Sequence, residues 1–182
     1  MIMDDELGPL LVAPDSYLQC RASIRKALGF PYERRPLLIG VDGVDGCGKS
    51  SLAAWLSWQL EMPAIHLDVF LIPDSLPLAW KYQGLTSAIN GAQLGSERPV
   101  IVEGVLLLHV LEQIGRTTDF LVFVEKERHT HSMRKHVDPY LKKHEPNVKA
   151  NCTVRWSSTD HDAKVRQAHQ ALDDLGEGAK CA

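Results

Sequence analysis

Short continuous apolar runs alternate along the chain with stretches in which apolar residues recur every three or four positions. Tyr17, Cys20, Ile24, Ala27 and Leu28 fall on one helical face, with Ser16 as the expected cap after Asp15 and Gly29 with Pro31 as the stop. Beyond a basic, proline-containing joint at Arg34, Arg35 and Pro36, Leu37 to Val41 is the kind of run expected of a strand buried on both faces of a parallel sheet. It ends at Asp42 and Gly43. Leu52, Leu56 and Leu60 recur at helical spacing up to Pro63, and Ala64 to Leu67 reads as a second strand. Pro73 and Pro77 mark a loop, and Leu78 to Leu94 a helix interrupted by Gly84 and Gly91. Val100 to Val102, continuing into Glu103 and Gly104, is a third strand, Leu106 to Ile114 a helix, and Phe120 to Val124 a fourth strand. A polar helix from about Glu127 to Val137 is expected to break at Asp138 and Pro139, with Cys152 to Val154 as a short fifth strand. Thr159 and Asp162 have capping-box spacing ahead of a last helix carrying Val165, Ala168 and Leu172. Buried strands alternating with helices predict an α/β fold layered around a parallel sheet.

Composition narrows this to one domain. A chain of 182 residues, 45% hydrophobic and 24% charged, can bury a full core. Residues 1–36 are expected to form a lead-in helix and joint, 37–175 the domain, and 176–182 a disordered tail. A formal net charge of -3 offers no cationic face for a nucleic-acid backbone. Cys20, Cys47, Cys152 and Cys181 contain no CxxC pair, so neither a disulfide scaffold nor a zinc knuckle is expected, and a cytoplasmic setting fits. No apolar run approaches the roughly 20 residues of a membrane span. The acidic start also lacks the basic-then-apolar order of a secretion signal. The expected partners are therefore small molecules, not nucleic acid or membrane.

The sharpest local feature is Gly43, Val44, Asp45, Gly46, Cys47, Gly48, Lys49 and Ser50, followed by Ser51. It satisfies GxxxxGK[ST] between a buried strand and an amphipathic helix, the context that a phosphate-binding loop requires. The glycines permit backbone angles that turn successive amides toward a phosphate, and the following helix adds its positive end. Lys49 would reach the β- and γ-phosphates of a nucleoside triphosphate, and the Ser50 hydroxyl would hold magnesium. Cys47, among amides and near Lys49, is expected to be a reactive thiolate. Three carboxylates stand at strand ends, where ligands bind in parallel sheets: Asp42, Asp68 and Glu103. Asp42 lies beneath the loop and reads as structural. Asp68 and Glu103 are candidates for binding magnesium or taking a proton from an acceptor hydroxyl, against the plainer readings of a turn cap and a structural hydrogen bond.

Gly43 to Ser50, then HLDVF from His66, VIVEGVLLL from Val100, DFLVFVE from Asp119 and YLKKHEPNVKAN from Tyr140 together resemble the P-loop kinases of the uridine kinase and phosphoribulokinase group. The resemblance covers roughly residues 37 to 155. It implies a three-layer P-loop NTPase fold with a five-stranded parallel sheet in the order 2-3-1-4-5. It further implies ATP with magnesium, and phosphorylation of a hydroxyl on a nucleoside or similar small molecule. Asp68 then matches the residue that faces the acceptor hydroxyl, and Glu103 the one ending the Walker B strand. Arg128 and Arg134 are candidates for neutralising charge on the transferring phosphoryl group.

Rival readings remain. A GTPase needs Asn-Lys-x-Asp, and no Asn here precedes Lys. A nucleoside monophosphate kinase needs basic residues between Phe70 and Pro99, where only Lys81 and Arg98 occur. A P-loop ATPase or a nucleotide-binding protein without kinase activity is the third. Of the eight histidines, His129, His131, His136 and His144 lack metal-ligand spacing, and no structural metal site is expected from them. Trp55, Trp58, Trp80 and Trp156 read as packing residues, with Trp80 in the region of a substrate pocket.

Overall fold

The computed structural model describes residues 13–29, 35–94, 97–127 and 132–156. The elements run α1 (Asp15–Leu28), β1 (Leu38–Gly43), α2 (Lys49–Leu60), β2 (Ala64–His66), a 3₁₀ turn (Leu67–Phe70), α3 (Tyr82–Leu94) and β3 (Val100–Glu103). They continue with α4 (Leu107–Gln113), β4 (Phe120–Lys126), α5 (Arg134–His144), a short α6 (Pro146–Lys149) and β5 (Cys152–Trp156). The five strands form one parallel sheet in the order β2-β3-β1-β4-β5, the order the resemblance implies. This is the fold of the P-loop kinases.

Alternation along the strands separates the two faces. Ile39, Val41, Ile101, Val122 and Val124 pack with Leu52 and Leu56 of α2 and with Cys20 and Ile24 of α1. Leu38, Val100, Val102 and Leu121 point the other way, onto Leu85 and Ile89 of α3, Val110 of α4 and Val137 and Tyr140 of α5. Because both faces are covered, the central strands are apolar throughout, which is why they read as continuous runs.

Several boundaries differ from the sequence reading, each for a physical reason. α1 begins at Asp15 with Pro14 in the cap position, so Ser16 lies inside the helix; Gly29, at φ 81°, ends it as expected. Leu78 to Lys81 are not helical. Ile72 N–H donates to Ala79 O at 2.9 Å and Lys81 N–H to Phe70 O at 2.8 Å, so the loop folds back on itself and pairs Leu71 with Trp80. The polar helix starts at Arg134 and passes through Asp138 and Pro139 to His144. An internal proline costs a helix about 3 kcal/mol. Here Val137, Tyr140 and His144 form a buried face that offsets this cost, as tertiary packing commonly does. Trp58 is exposed rather than packed. The expected helix after Thr159 lies outside the described residues.

One buried polar tie joins α5 to the sheet. The Tyr140 hydroxyl donates to Asp42 Oδ2 and accepts from Leu108 N–H at 3.1 Å, while Gly43 N–H donates to Asp42 Oδ1 at 2.7 Å. Asp42 is fully buried, and burial pushes its carboxyl up to about 6 against the opposing pull of Tyr140, Gly43 and Lys49. A carboxyl raised from its ordinary value of about 3.9 binds its proton more tightly folded than unfolded. It therefore favours the folded state at low pH and loses that contribution as pH rises through about 6. Tyr140→Phe is expected to cost about 1–3 kcal/mol, and more at pH 8, where the ionised carboxylate loses its donor, than at pH 5. Urea unfolding at the two pH values measures the difference; an equal loss at both would remove Asp42 from this account.

Candidate active site

The turn from β1 into α2 is formed by Val44, Asp45, Gly46, Cys47 and Gly48. Gly43, Gly46 and Gly48 have φ of 150°, 71° and 92°. At Gly43 a side chain is excluded twice over, because a Cβ there would lie 2.5 Å from the Val124 carbonyl oxygen and 2.9 Å from Cys47 Sγ. α2 begins after Gly48 with no side-chain cap, which leaves its first-turn amides for an anion. Lys49 is buried, and its Nζ donates to Val44 O at 2.6 Å, so the ammonium is held across its own loop. Ser50 and Ser51 follow on the exposed first turn of α2.

Cys47 contradicts the expected reactivity. Its side chain is fully buried in the core beneath the loop, and burial pushes the thiol up despite the opposing influence of Lys49. Small size, rather than chemistry, suits a cysteine to this position.

Glu103, almost fully buried at the end of β3, gathers the next group. Its Oε1 accepts from Ser50 Oγ at 2.9 Å and lies 2.6 Å from His66 Nδ1. The register explains the meeting, since His66 and Val41 are the cross-strand neighbours of Glu103 on β2 and β1. Two residues past His66, Asp68 stands exposed in the 3₁₀ turn at the same sheet edge. Gly104 lets that turn close in, because a Cβ there would meet Leu67 Cβ at 2.6 Å. The hydroxyl of Ser50 and the carboxylate of Glu103 are hard oxygen donors within one coordination sphere of each other, and they fit magnesium. Among the described residues, no hydrogen bond or ion pair joins Asp68 to them.

His66 escaped the sequence reading. Its signal was available: it is the last residue of β2, two before Asp68, and the sheet order implied by the resemblance makes β2 and β3 neighbours. Its ring nitrogen contact holds the Glu103 carboxylate in place.

The far side of the loop is tied to the approach to α5. Asp45 Oδ2 accepts from Ser132 N–H at 2.9 Å and from Ser132 Oγ at 2.5 Å. Burial acts upward on the Asp45 carboxyl, but the hydroxyl and amide of Ser132, together with the amides of Asp45 and Met133, outweigh it and hold the group below its ordinary range. Asp45 thus contributes its side chain as well as its backbone. Arg134 follows two residues later, exposed at the start of α5. Arg128 lies outside the described residues.

No protein-family model matches the chain, and no curated protein sequence matches it. Solved structures do. A possible uridine kinase from Bacillus stearothermophilus is similar at 20% identity and TM-score 0.57, over 76% of this chain and 97% of that one. A gluconokinase from Sinorhizobium meliloti 1021 (22% identity, TM-score 0.42, 81% and 97% covered) and a sugar kinase from Janibacter sp. HTCC2649 (14%, 0.45, 75% and 94%) are more distant. The fold likeness rests on the first.

Among the described cysteines, Cys20 and Cys47 are buried and Cys152 is half-buried. The neighbouring Cys20 draws the Cys152 thiol below its ordinary value, while the same contact and burial push Cys20 up. Alkylation by iodoacetamide at pH 8, followed by peptide mass spectrometry, is expected to label Cys152 well before Cys47 or Cys20. Faster labelling of Cys47 would mean that its sulfur reaches the loop surface.

Proposed function

We propose that this protein transfers the γ-phosphoryl group of ATP to a hydroxyl of a nucleoside-like small molecule. The observation that carries the reading is a shared sheet edge. The phosphate-binding loop leaves β1 there, Glu103 ends β3 with Ser50 and His66 on its carboxylate, and Asp68 follows β2. A GxxxxGK[ST] loop alone fits any NTPase; the adjoining exposed carboxylate is what a hydroxyl acceptor needs.

A cleft of about 250 Å³ supports a small acceptor. Trp80, Leu106, His136 and Tyr140 are among its lining residues. Trp80 is buried and forms part of the cleft wall. Leu106, three residues past Glu103, forms part of that wall.

In the proposed reaction the acceptor oxygen forms a bond to the γ-phosphorus as the bond from that phosphorus to the β–γ bridging oxygen breaks. ADP leaves with that oxygen. Asp68 orients the acceptor hydroxyl and takes its proton late in a loose transition state. Lys49, the loop amides and the start of α2 bind the phosphates and stabilise the charge spread over the transferring group. Arg134 would add positive charge from the start of α5, and Arg128, outside the described residues, is a candidate for the same role. Magnesium, when bound, neutralises phosphate charge, and Ser50 and Glu103 are the residues that would hold it. His66 keeps the Glu103 carboxylate oriented toward Ser50.

Asp68→Asn is expected to lower turnover by roughly 10²-fold or more, the scale of general acid–base catalysis, with ATP affinity retained. Lys49→Ala is expected to lose turnover by a similar or larger factor with an unchanged circular dichroism spectrum. Steady-state kinetics of both variants, with ATP affinity by calorimetry, tests the division of labour. Full turnover in folded Lys49→Ala would overturn the kinase reading; ATP affinity lost in Asp68→Asn would make Asp68 a donor-site residue instead.

A further inference from the structure

Away from the strand ends, α4 and α5 bring together three groups that the spacing of the histidines did not suggest. His109 and Glu112 are three residues apart on α4 and so share a face. His144 is the last residue of α5. One ligand-capable atom from each lies within 4.8 Å of the other two, with His144 Nε2 and Glu112 Oε2 at 3.9 Å. The rings of His109 and His144 meet edge to face, with centroids 5.9 Å apart, and Tyr140 packs on the other ring contact of His144 at 5.0 Å.

We propose that His109, Glu112 and His144 bind a divalent transition metal of the zinc class, through two imidazole nitrogens and one carboxylate oxygen. A tetrahedral ion with bonds of about 2.0–2.2 Å brings its ligand atoms to about 3.4 Å from one another. The three groups therefore have little to close, and Glu112, whose side chain is 56% exposed, has freedom to do it. The donor set selects the ion. Two nitrogens and one oxygen suit zinc and its neighbours, whereas magnesium prefers oxygen ligands and its own waters. The site is thus chemically distinct from Ser50 and Glu103.

Lys143 Nζ lies 3.4 Å from Glu112 Oε2 and is the group a metal would displace; at 65% exposure it can swing into solvent. A bound ion would join the end of α5 to α4, and α5 is also held to the sheet through Tyr140 and Asp42. His109 and His144 line the cleft that contains Trp80, so the ion would stand at its wall.

Calorimetric titration of the whole protein with zinc, and with magnesium as control, tests the site without any assay of activity. One zinc per chain is expected, with no competition from magnesium, together with a zinc-dependent rise in thermal midpoint. His109→Ala and Glu112→Gln, neither in the core, should each weaken zinc binding by roughly tenfold or more and abolish the thermal rise. The absence of saturable zinc binding to the wild-type protein would overturn the proposal. So would zinc binding by both variants with wild-type affinity, which would place the ion on other residues.

Discussion

A carboxylate buried at the end of an interior strand has to be satisfied, and among the described residues the side-chain partners of Glu103 come from elements elsewhere in the chain. Leaving such a group without partners costs several kcal/mol, so Ser50 from the first turn of α2 and His66 from the end of β2 are fixed relative to β3. That constraint carries outward. With His66 pinned, the turn bearing Asp68 must begin at the sheet edge, and only a glycine at 104 leaves room for Leu67 to pack there. With Ser50 pinned, the phosphate-binding loop is set in register with the ends of β1 and β3. The donor and acceptor sides of the proposed reaction are therefore aligned by one buried group.

A second set of ties acts from the opposite side. Tyr140 holds α5 to Asp42 beneath the loop, and Ser132 holds the approach to α5 against Asp45 within it. α5 and its approach are consequently tied to the loop on both of its flanks, with Arg134 exposed at the start of the helix. The same helix presents His136 and Tyr140 to the cleft. Its interior proline is tolerated because these contacts, and the burial of Val137, outweigh the lost backbone bond.

Features encoded locally were legible before any coordinates. Continuous apolar runs exist because both sheet faces are covered, and the glycines at 43, 46 and 48 are needed for positive φ. The sheet order followed from the resemblance of the motifs, not from the runs themselves. Features that depend on distant contacts were not legible. Pro139 reads as a breaker until Val137, Tyr140 and His144 are seen to be buried on one face. Cys47 reads as activated by Lys49 until its sulfur is placed in the core. The basic residues that line the cleft, His109, His136 and Lys143, come from α4 and α5, which are far in sequence from Trp80 and meet it only in the fold. His66 and Tyr140 were overlooked because each acts through a carboxylate that only the fold brings to it.

If Glu103 organises the donor side through Ser50, nucleotide binding depends on magnesium through this carboxylate. Calorimetric ATP binding with and without magnesium, in the wild-type protein and in Glu103→Gln, measures that dependence. Magnesium is predicted to tighten ATP binding to the wild type, and Glu103→Gln to lose most of that increment while keeping the magnesium-free affinity supplied by Lys49 and the loop amides. An undiminished magnesium increment in a folded Glu103→Gln protein would contradict the account.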